Sequence, residues 1–200
     1  MLEVKDATIV IGEKTLAQGL SFTARDGQLT CITGSEGSGK TTLIRTLMGF
    51  LPVKEGFVSV DGELLTVRSA HAFRTMMVYL PQQMQMLRHQ LDAPESPVCE
   101  MEEYGVWNAT QPVVKPELMA EPLSPEEIFR LAEQTIREAG DKQILIADEP
   151  AAHLTPELTQ RMTALLLQQA TMGKTVLIAS RKPQLVAQAQ QVIDLDALRI

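Results

Sequence analysis

Aromatic residues are scarce in this chain, at 4% of 200 residues, with a single tryptophan. A core built from it must therefore be aliphatic rather than held by ring stacking. Cysteine occurs only twice, as Cys31 and Cys99, without metal-binding spacing. That argues against a disulfide framework and against a cysteine-based zinc site. Cys31 lies in an apolar run and reads as a reduced core thiol. Long hydrophobic runs are missing too, since none approaches the ~20 residues of a membrane helix. The N-terminus lacks the charged-then-apolar layout of a signal peptide. Positive charge is also short: 18 Lys and Arg stand against 25 Asp and Glu, for a net charge of −7. No basic run or Lys/Arg-rich helix face occurs, which argues against direct nucleic-acid binding. What remains is ordinary globular composition, 44% hydrophobic and 22% charged, long enough for one domain with a full core.

The chain is organised around Gly34, Ser35, Glu36, Gly37, Ser38, Gly39, Lys40, Thr41 and Thr42. This stretch fits the phosphate-loop pattern GxxxxGK[ST] at every fixed position. Residues 28–33 before it read as a short buried strand. Leu43, Ile44, Leu47 and Met48 after it recur at helical spacing, and Gly49 suits a helix end. Strand, glycine loop, helix is the context the motif needs. Glycines let the backbone wrap a phosphate, and the loop N–H groups with the helix N-terminus face the anion. In this pattern Lys40 reaches the β/γ-phosphates and the Thr41 hydroxyl binds Mg²⁺. Glu36 is the odd residue, because its charge does nothing for phosphate binding.

Before the loop, residues 1–25 alternate around a turn at Gly12, Glu13 and Lys14, predicting antiparallel strands over 2–10 and roughly 20–24. Residues 57–60 predict another strand, closed by the turn Asp61-Gly62. Residues 76–80 form an apolar run ending at Pro81. From Met84 to Pro122 periodicity is lost, and five prolines and the tryptophan fall there. That stretch is an insert, either a partner surface or a loosely packed lobe. Ser124, Pro125, Glu126 and Glu127 form a capping box opening a helix that stops near Gly140. Strands follow at 144–147, 175–179 and 191–195, with a helix capped by Thr155-Pro156 between the first two. The alternation predicts an α/β fold with a largely parallel sheet.

The strand at 144–147 ends in Asp148-Glu149. In parallel α/β sheets, ligands sit at the carboxyl ends of strands. Asp148 there suits the Mg²⁺ shell, and Glu149 suits polarising a water for in-line attack on a γ-phosphate.

With these residues in place, the chain resembles the nucleotide-binding subunit of ATP-binding cassette (ABC) proteins over nearly its full length. Residues 34–42 are similar to the Walker A motif, and residues 144–148 to Walker B. Tyr79, Leu80, Pro81 and Gln82 resemble the Q-loop, implying that Gln82 touches Mg²⁺ and senses the γ-phosphate. Glu149 takes the place of the catalytic glutamate. The resemblance implies a P-loop NTPase core with an N-terminal antiparallel β subdomain and a small inserted helical lobe at about residues 83–140, all in one domain of residues 1–200. It implies ATP and Mg²⁺ as ligands and ATP hydrolysis as the activity. The implied partners are a transmembrane permease subunit and a second ATP-binding subunit, in a homo- or heterodimer. The implied location is cytoplasmic, on the inner face of the membrane.

The chain departs from that family at several positions. Where the family has LSGGQ, it has Leu123, Ser124, Pro125, Glu126 and Glu127. Pro125 has no N–H to offer an anion, and the two glutamates oppose one. Ala152, His153, Leu154 and Thr155 replace the family's SALD, and Arg181 replaces the switch histidine. Arg181 keeps a cation near the γ-phosphate, without histidine's neutral form. Ile11 stands where an aromatic often stacks on adenine, and also reads simply as a strand residue. These departures imply weak hydrolysis, with a catalytically impaired regulatory subunit or a soluble non-transport ABC ATPase as alternatives.

Overall fold

The computed structural model describes residues 1–11, 14–84 and 122–198. Two sheets carry them. The first is antiparallel: β1 (Leu2–Ile11), β2 (Lys14–Ala24), β4 (Glu55–Val60) and β5 (Glu63–Leu64), in the order β2-β1-β4-β5. The second is parallel throughout: β3 (Leu29–Thr33), β6 (Met77–Leu80), β7 (Ile144–Asp148), β8 (Thr175–Ala179) and β9 (Gln191–Asp194), in the order β6-β7-β8-β3-β9. The expected α/β fold is thus the one observed.

The parallel strands read as unbroken apolar runs because both of their faces are covered. Their alternate residues divide between two cores. Ile144 and Ile146 of β7, Leu177 and Ala179 of β8, and Ile32 of β3 join a core with the antiparallel sheet and helix α1 (Lys40–Leu47). Leu145 and Ala147, Val176 and Ile178, and Leu29 and Cys31 face the opposite core. That core takes the apolar faces of α3 (Pro125–Glu138), α4 (Pro156–Thr171) and the short α5 (Pro183–Val186). Among the described residues a further α-helix, α2 (Ala70–Thr75), leads into β6. Cys31 is fully buried, and burial pushes its thiol up to about 11.

One expectation needs correction. The second strand begins at Lys14 rather than near Leu20. Its pairing with β1 shifts register between Val4 and Ala7, between Ala7 and Ile9, and between Ile9 and Val10, so the two-residue alternation is broken along a strand that is nonetheless continuous. The helix expected from the capping box at Ser124 runs over residues 125–138 and is seated in the second core through Ile128, Phe129, Ala132 and Ile136. Arg161 of α4 lies over the Phe129 ring at 4.4 Å. The body of that insert, residues 85–121, lies outside the described residues, as do Gly12 and Glu13 of the first turn.

Candidate functional site

All five parallel strands deliver their carboxyl ends to one edge of the sheet, where ligands of such sheets bind. After β3 comes the glycine loop, after β6 Gln82, at the end of β7 Asp148 followed by Glu149, and after β8 Arg181. These residues line one cleft of about 410 Å³, with Leu16 of β2 on its wall. Glu36, Gly37, Ser38, Gly39, Lys40, Thr41 and Thr42 line it too, so residues as far apart in sequence as Leu16 and Arg181 meet at this edge of the parallel sheet.

 

The loop itself is shaped by two glycines. Gly34 has φ +147, and a Cβ there would lie 2.7 Å from Ser38 Oγ. Gly39 has φ +98 and packs on Leu16, whose Cδ1 would stand 3.0 Å from an added Cβ. It is the N-cap of α1, with no side-chain cap and no acidic residue in the first turn. The helix therefore starts with backbone donors not taken by a cap. Lys40 is 8% exposed, and its Nζ donates to Gly34 O at 2.8 Å and Ser35 O at 2.9 Å.

Asp148 is 1% exposed, and among the described residues neither carboxyl oxygen has a hydrogen-bond partner. Burial raises its pKa. The nearby Thr41 hydroxyl, Lys40 and Arg45 pull it down and Glu149 pushes it up, but burial dominates. A buried carboxylate without a donor beside a threonine hydroxyl is a donor set that fits a hard cation such as Mg²⁺. Glu149 follows in the left-handed region at φ 47, its N–H held by Ala179 O at 2.8 Å. Its carboxylate lies 4.0 Å from Lys40 Nζ and 3.4 Å from Arg181 Nε.

The structure thus brings together Lys40, Thr41, Gln82, Asp148, Glu149 and Arg181, all singled out from sequence. His153 is exposed and does not line the cleft. Sequence reasoning missed Leu16 and Asp196. Asp196, after β9, accepts hydrogen bonds from Ser35 N at 2.6 Å and Ser35 Oγ at 2.8 Å, anchoring the loop. Nothing local marks Asp196, because its partner is 161 residues away.

At the proposed signature segment, the capping box is complete. Ser124 Oγ accepts from Glu127 N at 3.3 Å, and Glu127 Oε2 accepts from Ser124 N at 2.9 Å.

The sequence profile of the ABC transporter family matches residues 17–152. The chain belongs to that family. A Treponema denticola protein, provisionally named an ABC transporter ATP-binding protein, is 33% identical over 187 residues, covering 88% of this chain. The ABC transporter ATP-binding/permease protein Rv1747 of Mycobacterium tuberculosis is 26% identical over 208 residues, covering 96%. This cassette spans only 36% and 24% of those two proteins' lengths. A dimeric ATP-binding cassette solved in a post-hydrolysis state with ADP and Pi superposes with a TM-score of 0.67 at 19% identity, covering 97% of this chain and 94% of that one. That likeness extends to the fold. Among the described residues, no helix is long and apolar enough to cross a membrane.

Proposed function

We propose that this cassette is the ATP-binding, weakly ATP-hydrolysing subunit of a transporter, formed by one nucleotide-binding domain over residues 1–200. The observation that carries the reading is the buried, unpartnered Asp148 carboxylate facing the same cleft as Lys40 and the glycine loop. Thr41 and Asp148, with Gln82 at the rim, would hold Mg²⁺, which when bound offsets the charge of the phosphates. Lys40 exchanges its loop carbonyls for the β/γ-phosphates. Glu149 orients a water in line with the γ-phosphorus and accepts its proton as the new P–O bond forms and the bond to the β-phosphate oxygen breaks. Its strained backbone aims the carboxylate into the cleft.

The partners follow from family likeness. The related solved cassette is a dimer, and the mycobacterial relative is named as an ATP-binding/permease protein. We therefore place a second ATP-binding subunit and a transmembrane permease beside this chain, on the cytoplasmic side of the membrane. The closed N-terminus of α3 supports low turnover in a homodimer, and a regulatory role beside a competent partner is the second reading. Glu149→Gln should keep ATP binding and lose phosphate release in the active assembly. Undiminished release by that variant would sink the assignment of Glu149.

A further inference from the structure

The two residues that fit the phosphate site least, Glu36 in the loop and Arg181 after β8, meet in space. They are 145 residues apart in sequence, yet Arg181 Nη1 stands 3.4 Å from Glu36 Oε2. The same guanidinium reaches Glu149 through Nε, also at 3.4 Å. Arg181 therefore spans the cleft mouth, from a carboxylate on the loop to one at the end of β7. The two carboxylates differ in setting: the Glu36 side chain is 91% exposed and that of Glu149 is 9% exposed. A charge as exposed as Glu36 is screened by water and salt, so it acts weakly on a bound phosphate through space. It can still occupy a guanidinium. Arginine's donors form a planar fork, and a fork engaged with two carboxylates has fewer donors left for a phosphate.

We propose that Glu36 is a positioning residue that tethers Arg181 away from the terminal phosphate, and so sets how tightly the cleft holds a nucleoside triphosphate. This rests on the ATP reading above. The tether accounts for both departures at once: each charge that does not suit the site has the other as its partner. It acts on the triphosphate more than the diphosphate, because Arg181 sits with Glu149, the group assigned to the terminal phosphate.

The test is a double-mutant cycle on the full chain, with ATP and ADP binding in Mg²⁺ followed by calorimetry. The variants are Glu36→Gln, Arg181→Ala and the two combined, with melting temperatures as a check on folding. Glu36→Gln should tighten ATP binding roughly three- to fivefold, the size of a surface ion pair. It should raise the preference for ATP over ADP by the same factor, which a general effect on folding would not do. In the Arg181→Ala background, Glu36→Gln should change ATP affinity less than about twofold, because no guanidinium is left to release. An equal gain in both backgrounds would mean that Glu36 acts by its charge alone and would overturn the tether, as would no gain in either. Failure of the ATP reading looks different: the unaltered chain would bind neither nucleotide, or Lys40→Ala would bind ATP undiminished, and the tether would fall with it.

Discussion

Two helix N-termini in this cassette, those of α1 and α3, are built in opposite ways. α1 starts at a left-handed glycine, with no side-chain cap and no acid in its first turn. α3 starts at Ser124 with a complete capping box, Pro125 in the first position and two glutamates. A cap is worth about 1 kcal/mol to a helix, so α1 gives up stability that α3 keeps. In return, α1 has donors and an uncompensated dipole to offer an anion, while α3 has its own already answered. Of the two segments that face phosphate in the family this chain resembles, only the first is chemically equipped for it here.

The largest break in that contrast is Lys40→Ala, which strips the open end of its cation. A charge-assisted contact is worth about 1.5–3 kcal/mol, so ATP binding should weaken about tenfold or more. Unchanged affinity by calorimetry would remove the phosphate-loop reading. Opening the closed end comes next. Pro125→Gly, Glu126→Gly and Glu127→Gln together return a backbone donor and remove two like charges. They should raise steady-state phosphate release and ATP-driven dimerisation, seen by sedimentation, at a cost of about 1 kcal/mol in stability. If the unaltered chain already hydrolyses ATP briskly as a homodimer and the triple variant gains nothing, α3 is not a defective signature.

Asp148→Asn should raise the melting temperature of the nucleotide-free protein while removing the further rise that Mg²⁺ and ATP give the unaltered chain. The sign follows from burial. The folded-state pKa of Asp148 lies above its ordinary 3.8. Its stabilising contribution is therefore present below that value and lost as pH climbs through the folded pKa. The gap in melting temperature between the variant and the parent should widen over that climb. A gap that narrows instead would mean the carboxylate has a stabilising partner. The smallest effect is expected from Ser124→Ala, which removes the α3 cap: about 1 kcal/mol, or about 2–4 °C, with ATP affinity unmoved. A loss of affinity in that variant would show that the two helix ends are not independent.

Legibility in the sequence followed distance along the chain. The capping box spans four residues and the phosphate loop nine, so both were readable where they stood. The parallel sheet was readable because strands covered on both faces become plain apolar runs, as at Ile144–Asp148. The long hairpin was only half readable, because its register shifts erase the alternation that would mark β2. Asp196 on Ser35 and Glu36 on Arg181 were not readable at all. Each is a contact made by strand order, and nothing in the local pattern of either partner records it.

Cys31 has a consequence of its own. It lies three residues before Gly34, in the middle of β3, between β8 and β9. With burial pushing its thiol up to about 11, Cys31 stays protonated at pH 7. Oxidants and alkylating reagents therefore find no nucleophile there while the sheet is closed. In a Cys99→Ser background, the rate at which Cys31 takes up a thiol reagent becomes a clock for opening of the strand that carries the phosphate loop.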